Sequence, residues 1–184
     1  MGLVVFTLVL GAVAGLAVAV GDGWQATEGA QALETASRQA AAQLERTLRA
    51  ARYVGAASAG RVAFWVGDAN ADGKMQLSEI GLIEHDAAAS RLVLYTVAGT
   101  SSMAALVCTA GDIGSTQDAA TFKAIPGCTG RAMAANVSAA SFALYNAGST
   151  TQSPVVEFVL TFARGGQAWT RYGAATLRAE GVAP

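Results

Sequence analysis

The sequence predicts an α+β chain, with one long N-terminal α-helix packed on an antiparallel β-sheet head. Three observations predict it. From Leu3 to Val20 no residue is charged and Thr7 alone is polar. From Trp24 onward Leu33, Ala36, Ala40, Leu44, Leu48 and Ala51 recur at spacings of three and four, the stripe of an amphipathic helix. After Gly60 the apolar period falls to two, the period of strands.

The apolar run sets the first boundary. At a helical rise it spans about 27 Å, close to the thickness of a bilayer's hydrocarbon core. Residues 1–21 are therefore read as the transmembrane half of the helix, 22–55 as its amphipathic half, and 61–184 as the head. Gly21-Asp22-Gly23 marks the exit from lipid, and Trp24 falls where an interfacial aromatic belongs. Gly11 and Gly15 form a small-xxx-small pair that lets a second helix approach. In the amphipathic half Glu34 and Arg38, and Glu45 and Arg49, stand at i,i+4 in the favourable order. Leu33, Leu44 and Leu48 form the face expected to carry helix assembly. Gly55 and Gly60 bracket an Ala/Ser stretch where the helix is expected to end. A cleaved signal peptide is the rival, because Ala17-Val18-Ala19 offers small residues to a peptidase. Against it, no Lys or Arg precedes the run.

In the head, Val62, Phe64 and Val66 alternate with Ala63 and Trp65 as a first strand. Ile80 to Glu84 pairs across an Asp86–Ser90 turn with a strand containing Leu92 and Leu94. A third region covers Ala139 to Asn146. The clearest strand is Val155 to Ala163, with Val156, Phe158, Leu160 and Phe162 on one face. Arg164-Gly165-Gly166-Gln167 is a hairpin turn into a last strand, Ala168 to Arg178. Thr116 to Ala124 reads as a short helix stopped before Pro126.

Composition narrows the function. Net charge is −1 with no basic cluster, so nucleic-acid binding has no electrostatic support. The single histidine, His85, sits between Glu84 and Asp86 and reads as a turn residue rather than a base. No G-x-S-x-G, H-E-x-x-H or phosphate-binding glycine loop occurs, and the chain is read as a non-enzyme. Asn136-Val137-Ser138 matches a glycosylation sequon. Cys108 and Cys128 lack metal-site clustering. In an exported head they are expected to pair as a disulfide, closing a loop of about 20 residues worth ~3 kcal/mol.

One stretch carries chemistry. Residues 68–79, Asp68-Ala69-Asn70-Ala71-Asp72-Gly73-Lys74-Met75-Gln76-Leu77-Ser78-Glu79, satisfy the calcium-loop pattern D-x-[DN]-x-[DN]-G-x5-E in full. Asp68, Asn70 and Asp72 supply hard oxygens, and Gly73 permits the sharp turn. Lys74 offers its backbone carbonyl, Gln76 acts directly or through water, and Glu79 closes the site bidentately. The flanks read as strand rather than helix, so Ca2+ bound here is structural, not signalling. The competing reading is a polar hairpin loop whose Asp, Asn and Gly serve turn geometry alone.

An apolar helix running into an amphipathic one and then a small antiparallel sheet resembles the type IV pilin-like proteins, the J-type minor pseudopilins of type II secretion among them. Phe64-Trp65-Val66 with the Asp-rich loop, the segment Glu79 to Asp86, and the close Gly173 to Ala179 are similar to such heads. Phe6-Thr7-Leu8-Val9-Leu10 mimics the family's mature start, but Val5 replaces its glycine and Leu10 its glutamate. Met1 is accordingly expected to lie inside the apolar segment, with the leader before it. The resemblance implies a structural subunit, single-pass in the bacterial inner membrane with a periplasmic head. It would assemble through its N-terminal helix with other pilin-like subunits, on a membrane platform driven by a cytoplasmic ATPase. Two alternatives stand beside it: a membrane-tethered calcium-binding module that presents its head to a ligand without polymerising, and a secreted protein.

Overall fold

The computed structural model describes residues 16, 20, 29–72, 74–101, 103–108, 119–146 and 153–177. Its helix α1 covers residues 29–49. Strands follow as β1 (Tyr53–Ser58), β2 (Arg61–Trp65), β3 (Met75–Gln76), β4 (Ile80–Asp86), β5 (Arg91–Val97) and β6 (Val107–Cys108). A short helix α2 (Ala119–Lys123) precedes β7 (Cys128–Ala135), β8 (Val137–Tyr145), β9 (Val155–Arg164) and β10 (Gln167–Thr176). The strands form a five-stranded sheet in the order β1-β2-β4-β5-β7, a three-stranded sheet β10-β9-β8, and a two-stranded ladder β3-β6.

The central strands of the large sheet bury both faces, which is why β2 reads as a nearly unbroken apolar run. Val62, Phe64, Ile83 and Leu92 enter one core with Leu33, Leu44 and Leu48 of α1 and with Val156, Phe158, Leu160 and Phe162 of β9. Ala63, Trp65, Ile80 and Leu82 turn the other way, into a second core with Met75, Leu77, Val97, Cys108 and Phe122. Gly165 and Gly166, at φ of 59° and 79°, close the two-residue β9–β10 hairpin as the sequence predicts. His85 ties the two larger sheets together by donating from Nε2 to Val137 O at 2.8 Å.

The predicted long rod gives way to a different architecture. Strands dominate, in three sheets, and the main continuous helix among the described residues covers 29–49. Among the described residues no helix is long and apolar enough to cross a membrane. The helix that is present carries Glu34, Arg38, Glu45, Arg46 and Arg49, the charged face of an amphipathic segment. A long N-terminal helix packed on a sheet, the pilin-like and pseudopilin reading built on it, and a single-pass inner-membrane placement are therefore corrected to a β-rich fold with one helix of moderate length. The run Leu3 to Val20 lies outside the described residues except for Leu16 and Val20.

The helix ends earlier than predicted because Tyr53 and Val54 pair with Trp65 and Phe64, so the chain turns at once into strand. Its buried stripe is Leu33, Ser37, Ala40, Leu44 and Leu48, and Ala36 is exposed. Ser37 tolerates full burial because it donates to Glu34 O (2.7 Å) and accepts from Arg171 Nε (3.1 Å). The face expected to carry assembly is thus covered by the protein's own sheets: Leu33 is 3% exposed, and Leu44 and Leu48 are 0%.

Candidate metal loop

The acidic loop joins β2 to β4 at the rim of the second core. Met75 pairs with Cys108, and Leu77 N donates to Leu106 O at 3.0 Å, so the second half of the loop is tied down by β6 and the chain just before it. Met75 and Leu77 bury their side chains there, at 1% and 4% exposure. A single 3-10 turn, Leu77–Glu79, follows, and the chain returns to strand rather than helix, as the sequence predicts.

Three of the predicted ligands converge. The Asp72 N–H is shared by Asp68 Oδ1 (3.0 Å) and Asn70 Oδ1 (3.2 Å), which brings those two oxygens to one point. Asp72 Oδ1 accepts from Lys74 N at 2.9 Å. Its Oδ2 receives Asn70 Nδ2 at 3.1 Å and Gln76 Nε2 at 2.6 Å. The Lys74 amide, helped by those two side-chain amides, holds the Asp72 carboxyl below the usual carboxylate range. Ala71 takes a left-handed φ of 58° to complete the wrap, and Gly73 lies outside the described residues. Lys74 is exposed, with its amide turned to Asp72.

Glu79 occupies a different place from the one its spacing predicts. It is 7% exposed, and its carboxylate is satisfied by N–H donors: Trp65 Nε1 (3.1 Å) and Gln76 N (3.1 Å) on Oε2, and Ala69 N (2.6 Å) on Oε1. It pins the start and end of the loop to the end of β2. Among the described residues no three His, Cys, Asp or Glu side chains gather as a metal cluster. Asp68, Asn70 and Asp72, with Gln76 beside them, are the residues that fit a hard cation. These are oxygen donors of the kind calcium takes, two of them charged, and Glu79 is their anchor rather than their closing ligand. Its partner Trp65 carries no spacing signal and is visible only in the fold.

The remaining candidates are structural. His85 is engaged between sheets rather than at a turn. The two cysteines share the second core as thiols: Cys108 Sγ lies 3.6 Å from Leu106 O, and burial pushes the Cys128 thiol up from its ordinary pKa. A buried thiol kept from ionising is a poor nucleophile. Both are therefore expected to react with an aromatic disulfide reagent at least about tenfold more slowly in the folded chain than in denaturant. Equal rates in the two states would show that this core does not protect them. No protein-family model, curated protein or solved structure matches the chain.

Proposed function

We propose that this chain is a non-enzymatic structural domain whose loop 68–79 takes calcium and is stabilised by it. The observation that carries the reading is the shared Asp72 amide, which collects the Asp68 and Asn70 oxygens beside a second carboxylate. Asp68, Asn70 and Asp72 would hold the ion, which would supply a divalent charge opposite the two carboxylates. Gln76, whose amide lies beside Asp72, would be the fourth residue at the ion. The non-enzymatic part draws support from the histidine and both thiols being engaged in packing rather than set in a cleft.

Calcium titration by calorimetry, with melting in calcium and in chelator, tests the reading. At 100 times the dissociation constant, calcium is expected to add about 2.7 kcal/mol to stability by mass action. Asp72→Asn is expected to weaken binding at least about tenfold, since it removes one of two charged donors. Its melting in chelator should stay near wild type, because Asp72 is exposed. A wild-type chain that gives no heat and melts identically with and without millimolar calcium sinks the proposal.

A further inference from the structure

The outer strands of the two larger sheets are β1, β7, β8 and β10. On the first three the register slips, between Val54 and Ala56 on β1, at Met133 on β7 and at Ser138 on β8. Irregularities of this kind blunt an edge against pairing with another chain. β10 has none. Gln167 to Thr176 pair with β9 without a slip, and the strand holds no proline or lysine. Its one charge, Arg171, is turned inward onto Ser37 and Glu34. Among the described residues no strand pairs with its other edge. Leu177 N donates to Pro154 O at 2.9 Å, so the alternation of an antiparallel ladder aims the odd-numbered backbone groups of β10 at β9. The N–H and C=O groups of Ala168, Thr170, Tyr172, Ala174 and Thr176 therefore face outward, and all five residues are exposed. Tyr172, in the middle of this edge, is 78% exposed.

We propose that two copies of this chain pair antiparallel along β10, about a two-fold axis at Tyr172, so that their three-stranded sheets become one. The interface does not involve the loop 68–79 and stands apart from the calcium reading. This register sets Tyr172 against Tyr172 of the second copy, Thr170 against its Ala174 and Ala168 against its Thr176. Each opposed pair exchanges two N–H···O bonds, and the two tyrosine rings become cross-strand neighbours. Arg171 then falls opposite Gly173 of the second copy. An axis at Arg171 would set two guanidinium groups directly against each other, a like-charge pair that opposes association. An axis at Gly173 would leave Ala168 without a partner. The edge is thus self-complementary in one register, as a two-fold interface requires.

Light scattering on the full chain from micromolar to millimolar concentration tests the proposal, in a mild detergent that keeps the run Leu3 to Val20 from associating. Wild type is expected to pass from monomer to dimer within that range. Ala174→Pro removes an outward N–H without costing a bond to β9, and Tyr172→Lys sets like charges across the axis. Each is expected to weaken dimerisation at least about tenfold. Both positions are exposed, so both variants should melt near wild type. Under copper phenanthroline, Tyr172→Cys should cross-link into dimers where Ala168→Cys does not, because only position 172 meets its own copy within disulfide reach. Cys108 and Cys128 are common to every variant. If Ala174→Pro fails to fold, Tyr172→Lys and the cross-linking decide. A wild-type chain that stays monomeric to millimolar concentration overturns the proposal. So does a dimer that Tyr172→Lys leaves intact, or one that cross-links equally at 168 and 172.

Discussion

Gly173→Ala is expected to lower the unfolding free energy by about 3 kcal/mol, and with it the melting temperature by roughly 6–12 °C. Gly173 stands directly opposite Phe158 in the β9–β10 ladder, on the face that enters the main core. On the other side Phe158 is opposite Phe142 of β8, so its ring is held within a cross-strand row and folded down over the glycine. A Cβ at position 173 would lie 2.2 Å from Phe158 Cζ, 2.7 Å from Cε2 and 2.8 Å from Cε1. Phe158 is 2% exposed, so its ring sits in the core beside the glycine. The double variant Gly173→Ala with Phe158→Leu should lose less than the sum of its single variants, because each change removes the other's cause. Gly99→Ala, where an added methyl meets nothing within 4 Å, is the control and should stay within about 0.5 kcal/mol of wild type. Thermal or urea unfolding reads all four variants. A Gly173→Ala chain that melts like wild type would mean the row Phe142–Phe158–Gly173 is not packed as described.

Where one face of a strand is buried and the other is not, the sequence alone carries the assignment. Val156, Phe158, Leu160 and Phe162 alternate with more exposed residues, and the turn after them needs two positive-φ glycines, so β9 and its hairpin are legible. β1 is not, and Gly55 shows why. A glycine after an amphipathic stripe reads as a helix stop, yet here it lies in a strand where the register slips between Val54 and Ala56, the place a bulge favours glycine. β7 hides for another reason. Its residues Thr129 to Ala132 are exposed, so it lacks the alternation that marks a strand, and Gly130 serves only to let the Tyr95 ring lie against it. The stripe of α1 is legible except at Ser37, whose burial depends on Arg171, 134 residues away.

The acidic loop divides along the same line. Spacing places Asp68, Asn70 and Asp72 together because a tight wrap is a local property, and it is met here by a positive φ at Ala71. The direction of Glu79 is not local. It is set by an indole N–H fourteen residues earlier and by two loop amides, a destination that a twelve-residue pattern cannot encode.

Leu44→Ala is expected to cost about 3–4 kcal/mol, the central range for removing a fully buried leucine and leaving a cavity. The number decides between two uses of the same stripe. A leucine on an open assembly face is exposed in the isolated chain, and replacing it with alanine, the better helix former, would leave stability unchanged or slightly raised. Here Leu44 and Leu48 are both 0% exposed, in one core with Phe64, Phe158 and Phe162. Urea unfolding should therefore show a lower midpoint with an unchanged slope, since the surface exposed on unfolding stays the same. Arg38→Ala, on the outward face of the same helix and in an exposed pair with Glu34, should cost no more than about 0.5 kcal/mol. Ser37→Ala falls between them, because it strands the Arg171 Nε donor that reaches across from β10. If Leu44→Ala instead unfolds at the wild-type midpoint while Arg38→Ala does not, the helix presents the opposite face to the sheets. The packing that orients every other element here would then have to be turned about the helix axis.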